Sequence, residues 1–234
     1  MKPGLPAILS LNGGYVDTAG FLALQGLFTA HVTGNFVTFG AAMVHGTSGA
    51  WAKLLALPVF CVVVMLVRLL GYGLEARGLP QMRTLLGLKF ALLTAAAIMA
   101  VTFGPFADSD AWRAMLTGMT LVSAMAIQNA IHRIHLASAP PTTLMTGTTT
   151  QVMIDLVDLA RGLPPDQAAT ARGRLGRMSG AVAAFALGCG LAALLYVFIG
   201  MWCFAVPPLL ALLAAFAGAQ ATGVQAAGTQ AKVR

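Results

Sequence analysis

The stretch "AKLLALPVFCVVVMLVRLLGYGL", residues 52–74, decides the class of this protein. A helix needs about 20 mostly apolar residues to cross the hydrocarbon core of a membrane, and this stretch supplies them. Across the 234 residues, 58% are hydrophobic, 9% are charged and the mean hydropathy is +0.82. A soluble domain has about 25% charged residues, so this chain cannot cover a water-facing surface. The sequence predicts an all-α, polytopic membrane protein.

Other apolar stretches extend this prediction. Full crossings are expected at 13–30, 84–104, 112–132, 178–200 and 201–219. The stretches 35–44 and 148–160 are too short to cross at about 1.5 Å per residue. We therefore predict about six transmembrane helices plus two re-entrant half-helices in a single membrane domain, residues 1–234, with residues 220–234 as a disordered C-terminal tail.

The charges between these stretches predict how the chain is oriented. The segments 75–83 and 161–177 are basic, whereas 105–112 is acidic. Basic loops lie in the cytoplasm in most membrane proteins, which also puts both termini there. Each half then has an odd number of crossings, so residues 10–107 and 108–219 form an inverted repeat, as in many secondary transporters.

Two similar motifs begin the predicted half-helices: "HVTGNFVTFG" at 31–40 and "LMTGTTTQVM" at 144–153. The first N–H groups of a helix lack partners; Thr can cap them, and Gly permits a tight turn. Two helix starts that face each other would attract an anion or a polar group. The candidate substrate-binding residues are Thr33, Gly34, Asn35, Thr146, Gly147 and Thr148. The alternative is that small residues here only allow close helix packing.

Asp17 and His31 are the candidate groups for proton coupling or gating. Asp17 lies inside a predicted span, where a carboxylate is costly and is a functional candidate by default. It could be protonated, pair with Arg68, carry a transported proton or make a structural hydrogen bond. His31 is expected near the outer mouth and titrates near neutral pH, so it is either a proton relay or an interfacial histidine without a role.

Gln128 and Asn129 complete the candidate substrate-binding set. Asn129 lies 17 positions before Thr146, and Asp17 lies 16 positions before Thr33, so the two residues hold similar places in the two halves. Amide side chains both donate and accept hydrogen bonds. These two residues either line the site opposite Asp17 or hold helices together.

Other functions lack support in the sequence. No HExxH, GxSxG or P-loop motif occurs, so we expect no enzyme activity, no catalytic residues and no cofactor. Cys61, Cys189 and Cys203 lack the spacing of a metal site, and none is predicted. The net charge of +7 comes from basic residues between apolar stretches and near the termini, which argues against nucleic acid as a partner.

Taken together, the motifs resemble the YoaK-like family of bacterial integral membrane proteins, a family of unknown function. The matching residues are Gly14-Tyr15-Val16-Asp17, Thr33-Gly34-Asn35, Gln128-Asn129-Ala130, Pro141-Thr142-Thr143 and Met145-Thr146-Gly147-Thr148. This chain departs from the pattern at Thr18 and Val32. The resemblance implies a multi-pass protein of six or seven spans in the bacterial cytoplasmic (inner) membrane, and it implies no substrate.

The expected function is that of a small inverted-repeat transporter or channel for a small polar or anionic solute, with the proton as the candidate coupling ion. Its expected partners are that solute and membrane lipid, with a homodimer as the candidate assembly. The alternative is a non-transporting membrane scaffold or accessory subunit, which would need the polar motifs only for packing.

Overall fold

A computed structural model describes residues 4–218, and within that range the regular structure is entirely helical. The helices are α1 (Leu5–Ala23), α2 (Asn35–His45), α3 (Ala50–Ala76), α4 (Gln81–Phe103), α5 (Trp112–His135), α6 (Met145–Arg161), α7 (Pro165–Ile199) and α8 (206–218). A 3-10 turn, Val32–Gly34, leads into α2, and a second, Gly200–Ala205, joins α7 to α8. The predicted disordered tail, 220–234, lies outside the described residues.

Four helical stretches are long and apolar enough to cross a membrane. They are α3, α4, α5 and the continuous run Pro165–Gly218, which contains α7 and α8. Large apolar side chains are exposed on them, for example Val62, Met65 and Leu66 on α3. A surface of this kind suits contact with lipid rather than water. The described residues therefore have the helices of a multi-pass membrane protein.

The first helix differs from the predicted span at 13–30. It begins at Leu5, because Pro6 fits the first turn of a helix, where its missing N–H group is not needed. It ends at Ala23, because Gln25 and Gly26 have positive φ angles of 49° and 87° that turn the chain away from the helix axis. Residues 24–31 are therefore a loop, and this loop carries much of the candidate site.

The predicted basic loop 161–177 is also mostly helical. Helix α7 begins at Pro165, so Arg172, Arg174 and Arg177 lie on its first turns. The segment "PDQAATARGRLGR" is rich in Ala and Arg, which are strong helix formers. The two short helices differ less from their predicted bounds, since α2 covers 35–45 and α6 covers 145–161.

Helices α1 and α5 lie at the centre and have exchanged packing partners. Helix α1 packs against α7, and its Asn12 Nδ2 donates to the carbonyl oxygen of Pro207, 3.3 Å away on α8. Helix α5 packs against α3 and α4. The first helix of each half thus contacts the third and fourth helices of the other half. One core cluster contains Tyr15, Leu93, Met125 and Phe204, so it draws on both halves.

The contact between α1 and α7 brings their backbones together. A β-carbon added at Gly14 would overlap the carbonyl oxygen of Phe185, and one added at Gly188 would overlap that of Leu11. Glycine at helix crossings in membranes allows such close approach, and van der Waals packing then holds the helices together. This crossing positions the polar residues of α1 beside the middle of α7.

Candidate functional site

Asp17 on α1 organises the loop that precedes the first Thr-Gly motif. Its Oδ1 accepts hydrogen bonds from the backbone N–H groups of Thr29 and Ala30, at 2.8 Å and 2.7 Å. The Asp17 side chain is almost completely buried, at 6% exposure. A carboxylate buried in this way is stable only where donors replace the water that it has lost. Asp17 therefore fixes the position of residues 29 and 30 against α1.

His31 contacts the other oxygen of the same carboxylate. Its Nδ1 lies 2.6 Å from Asp17 Oδ2, and Nδ1 is the donor in this hydrogen bond when Asp17 is ionised, because a carboxylate oxygen only accepts. The hydrogen bond with Asp17 raises the pKa of His31 above the usual value for histidine, against the opposing effect of burial. The His31 ring packs edge-on against Phe185 of α7. The His31 side chain is 31% exposed, so the pair lies at the edge of the protein core rather than inside it.

Asp17 does not pair with Arg68, which was one of the predicted alternatives. The Arg68 guanidinium instead lies 4.3 Å from the ring centre of Tyr72, on the same helix. The structure thus joins the two predicted proton-coupling residues, Asp17 and His31, to each other.

The first Thr-Gly motif works differently from its predicted role. Neither α2 nor α6 has a side-chain cap, and Gly34 has an ordinary helical φ of −62°, so Thr33 is not a cap and Gly34 is not needed for a turn. Asn35 closes the loop instead: its Oδ1 accepts from the N–H of Phe28 at 2.8 Å, and its Nδ2 donates to the Phe28 carbonyl at 2.8 Å. The buried amide of Asn35 therefore serves both backbone groups of Phe28.

The second motif also departs from prediction. Thr146 and Gly147 are exposed within the first turn of α6 and have no turn to support. Thr148 is buried, and its hydroxyl donates to the carbonyl oxygen of Leu144 at 2.9 Å. The proton of this hydroxyl is committed to the backbone, so the hydroxyl could contact a ligand only as an acceptor.

Asn129 and Gln128 on α5 bind the loop before this second motif. Thr143 Oγ1 donates to Asn129 Oδ1 at 2.8 Å. Gln128 Nε2 donates to Thr142 Oγ1 at 3.1 Å and to the Leu9 carbonyl of α1 at 2.9 Å. The contact between Asn129 and Thr143 joins residues 14 apart, as does the contact between Asp17 and His31. The first helix of each half thus holds its own loop at the same spacing.

Lys89 is a polar residue that the sequence analysis did not single out. It lies on α4 and is fully buried, and its Nζ donates to Gln128 Oε1 at 2.5 Å. The sequence carried one signal for it, because Lys89 is a charged residue within the predicted span 84–104. A buried ammonium group inside a span is as costly as a carboxylate, and it needs a partner such as this amide.

Three cavities lie near these residues. The Asp17 cavity, of about 570 Å³, is lined by Asp17, Thr18, Phe21, Phe28, His31, Thr33, Gly34, Phe185 and Cys189. The Arg174 cavity, of about 310 Å³, includes Asn129, His132, Arg133, Ser138, Thr143, Arg174 and Arg177 in its lining. A third, of about 600 Å³, is lined by Met145, Thr146, Thr149, Thr150, Met153 and Ile154 of α6. Thr33 and Thr146 line different cavities, whereas the sequence analysis predicted that the two motifs converge on one site.

Comparison with known families adds one match. A family model described as "Protein of unknown function (DUF1275)" matches residues 5–217. The chain belongs to this family. The resemblance to YoaK-like proteins is consistent with that membership. No curated protein and no solved structure matches the chain.

The family motifs noted in the sequence have defined places in this DUF1275 chain. Gly14 makes the backbone contact with α7, and Tyr15 donates its hydroxyl to the Cys203 carbonyl at 2.7 Å. Asp17 holds the loop 29–31, and the Pro-Thr-Thr segment supplies Thr142 and Thr143 to the α5 amides. The motifs therefore mark the contacts that join α1 to α7 and those that join α1 and α5 to their own loops.

An ion pair between the second short helix and α7 was also missed. Arg174 donates to Asp155 from Nε at 2.8 Å and from Nη2 at 2.5 Å, and Gln151 donates to the same carboxylate at 2.8 Å. Arg174 holds the pKa of Asp155 below its usual value. Among residues 4–218, no group of three His, Cys, Asp or Glu side chains is arranged to hold a metal ion.

Proposed function

We propose that this protein is a small inverted-repeat transporter that carries a small polar or anionic solute across the bacterial cytoplasmic membrane. The pair formed by Asp17 and His31 is its proton-coupling group. The helix topology is six crossings plus the two short helices α2 and α6 as re-entrant segments, with the loop 136–144 on the cytoplasmic side.

One observation carries this proposal: the equal spacing of the two side-chain contacts that hold the loops. Asp17 contacts His31, and Asn129 contacts Thr143, each across 14 positions and each just before a short helix. The exchanged packing of α1 and α5 supports the same relation between the halves. Repeats of opposite orientation give a transporter two similar states, one open to each side.

The cavities support a carrier rather than an open channel. Helix α7 lines the Asp17 cavity with Phe185 and the Arg174 cavity with Met178, which are about 10 Å apart along the helix axis. Close contacts lie in this central region: a β-carbon at Gly13 would be 2.8 Å from the Thr142 carbonyl oxygen, and Gly14 meets the α7 backbone. Passage of a solute therefore requires α1 and α7 to move apart.

Protonation of His31 has a direct structural consequence. A charged imidazolium binds the Asp17 carboxylate strongly, and loss of that proton weakens the attraction. Because the same carboxylate also holds Thr29 and Ala30, the proton controls how firmly the loop closes on α1. This links proton binding to movement at the cavity, which is the requirement for coupling.

Transport by reconstituted protein tests the proposal. Proteoliposomes that contain a pH-sensitive dye are exposed to phosphate, sulfate, nitrate, acetate and small amino acids in turn. We expect that adding at least one of these solutes causes protons to cross the membrane of proteoliposomes that contain the parent protein. Asp17→Asn and His31→Gln should abolish the proton signal, whereas His45→Gln, an exposed histidine on α2, should retain it. Equal proton movement in Asp17→Asn would remove the coupling role.

A scaffold is the second candidate, and a specific observation favours it. The polar atoms of Asp17, Asn35 and Asn129 are already engaged in hydrogen bonds within the chain, as structural groups would be. Under this alternative, none of the probes produces flux, and Asp17→Asn lowers the melting temperature or the yield of assembled protein instead.

A further inference from the structure

The Arg174 cavity is a partly open pocket where three elements of the chain meet. Its walls are the last turns of α5, the loop 137–144 and the first turns of α7. Its volume is about 310 Å³, which is enough for a small ligand with its first waters. Arg133 and Arg177 are exposed at its edge, so a ligand has direct access from outside the core.

The charge in this cavity is strongly unbalanced. Three guanidinium groups line it, from Arg133, Arg174 and Arg177, and its lining contains no carboxylate. Asp155 of α6 neutralises Arg174 through two hydrogen bonds, and Asp158 is the other carboxylate close enough to affect it. Within residues 4–218, Arg133 and Arg177 have no ion-pair partner. Two positive charges therefore remain to attract an anion.

Neutral groups in the same cavity add hydrogen-bonding capacity. Ser138 and Thr143 contribute hydroxyl groups to the lining. His132 also lines it, and its buried Nδ1 has no hydrogen-bond partner in the described part of the chain. A buried polar atom without a partner is unfavourable unless a water or a ligand satisfies it.

We infer that the Arg174 cavity binds a phosphoryl group, supplied either by inorganic phosphate or by the headgroup of an anionic phospholipid. The planar fork of arginine matches two oxygens of a phosphate at once, which is why arginine predominates where oxyanions are recognised. This assignment goes beyond the proposed function, because it requires only binding and holds whether or not a solute crosses the membrane.

Binding is measured as stabilisation of the purified full-length protein in detergent. Its tryptophan fluorescence is followed on heating, with inorganic phosphate or chloride at matched ionic strength. A second arm uses nanodiscs of phosphatidylglycerol or of phosphatidylcholine. The variants are Arg133→Gln and Arg177→Gln, with Arg172→Gln as the control, an exposed arginine on α7 outside the cavity lining.

We expect phosphate or phosphatidylglycerol to stabilise the parent protein and Arg172→Gln. Each cavity variant should weaken the apparent affinity by about tenfold, the usual effect of losing one hydrogen bond to a charged group. Stabilisation in the phosphate arm identifies a soluble ligand, and stabilisation confined to phosphatidylglycerol identifies a headgroup. Equal stabilisation of all variants, or none in either arm, overturns the assignment. Flux is not measured here, so failure of transport leaves this test unaffected.

Discussion

At the scale of single residues, the carboxylate of Asp17 connects one helix to one loop through several donors. The two oxygens are shared by the backbone N–H groups of Thr29, Ala30 and His31, the Thr29 hydroxyl and the His31 ring. The imidazole ring of His31 changes charge near neutral pH, so the contribution of this cluster to stability depends on pH.

The stabilising contribution of His31 to the folded protein should decrease as pH rises. Its pKa is raised in the folded state, so its stabilising contact is complete below about pH 6.5, the ordinary value, and is lost as pH rises through the raised value. The contribution should be on the order of 1 kcal/mol. Melting temperatures of the parent and His31→Gln should converge at high pH. A constant difference across pH 5–9 would contradict this prediction, and His45→Gln is the control.

Asn35 and Thr33 belong to one motif and should differ in their effect on stability. Asn35 is 1% exposed and makes two hydrogen bonds to Phe28, so Asn35→Ala should cost about 2 kcal/mol in the free energy of unfolding. Thr33 is exposed, and Thr33→Ala should change it by less than about 0.5 kcal/mol. Chemical denaturation of both variants in detergent measures the difference. Equal losses would mean that the threonine has a structural partner in solution.

At the scale of helices, the crossing of α1 and α7 depends on two glycines that face each other's backbones. A β-carbon at Gly14 or Gly188 would have no room. One at Gly190, on the opposite side of α7 from Gly188, would have nothing within 4 Å. The same residue type therefore has two different roles on one helix, and only the packing separates them.

Gly188→Ala should be destabilising, and Gly190→Ala should not be. The added methyl group at 188 would push the two backbones apart, at a cost of about 1–3 kcal/mol. At 190 the same change only replaces a poor helix former by a good one and should be neutral or slightly stabilising. Melting temperatures of the two variants decide the matter. If Gly188→Ala is as stable as the parent, α1 and α7 are not in direct backbone contact.

At the scale of the whole molecule, the ends of the helices form two separate groups. The loop after α4 meets the turn before α3, because Asp110 accepts hydrogen bonds from the N–H groups of Gly49 and Ala52, at 2.9 Å and 3.0 Å. The loop after α1 reaches the same place, where Gln25 donates to the Ala107 carbonyl. The basic residues of α5 and α7 lie together at the Arg174 cavity.

Cysteine labelling should show these two groups on opposite sides of the membrane. In a variant without Cys61, Cys189 and Cys203, Thr47→Cys should react with a membrane-impermeant maleimide in intact cells. Gln167→Cys, also exposed, should react only after the membrane is made permeable. Labelling of both in intact cells would contradict the orientation expected from the basic residues.

Local sequence patterns predicted much of this architecture. The apolar stretches at 52–74, 84–104 and 112–132 became α3, α4 and α5, and the short stretch at 35–44 became α2, because hydrophobicity and length are properties of a segment by itself. The sequence also placed Asp17 in a buried environment and matched it with Asn129.

The tertiary structure alone decided which polar groups meet. His31 binds Asp17, Arg174 binds Asp155 and Lys89 binds Gln128. In each pair the two residues are more than one helix turn apart in the sequence. Such contacts depend on where a loop ends and which helices cross, and no local pattern encodes that. For the same reason Asn35, rather than Thr33, closes the first loop. The folded chain buries the Asn35 amide against Phe28 and leaves Thr33 exposed.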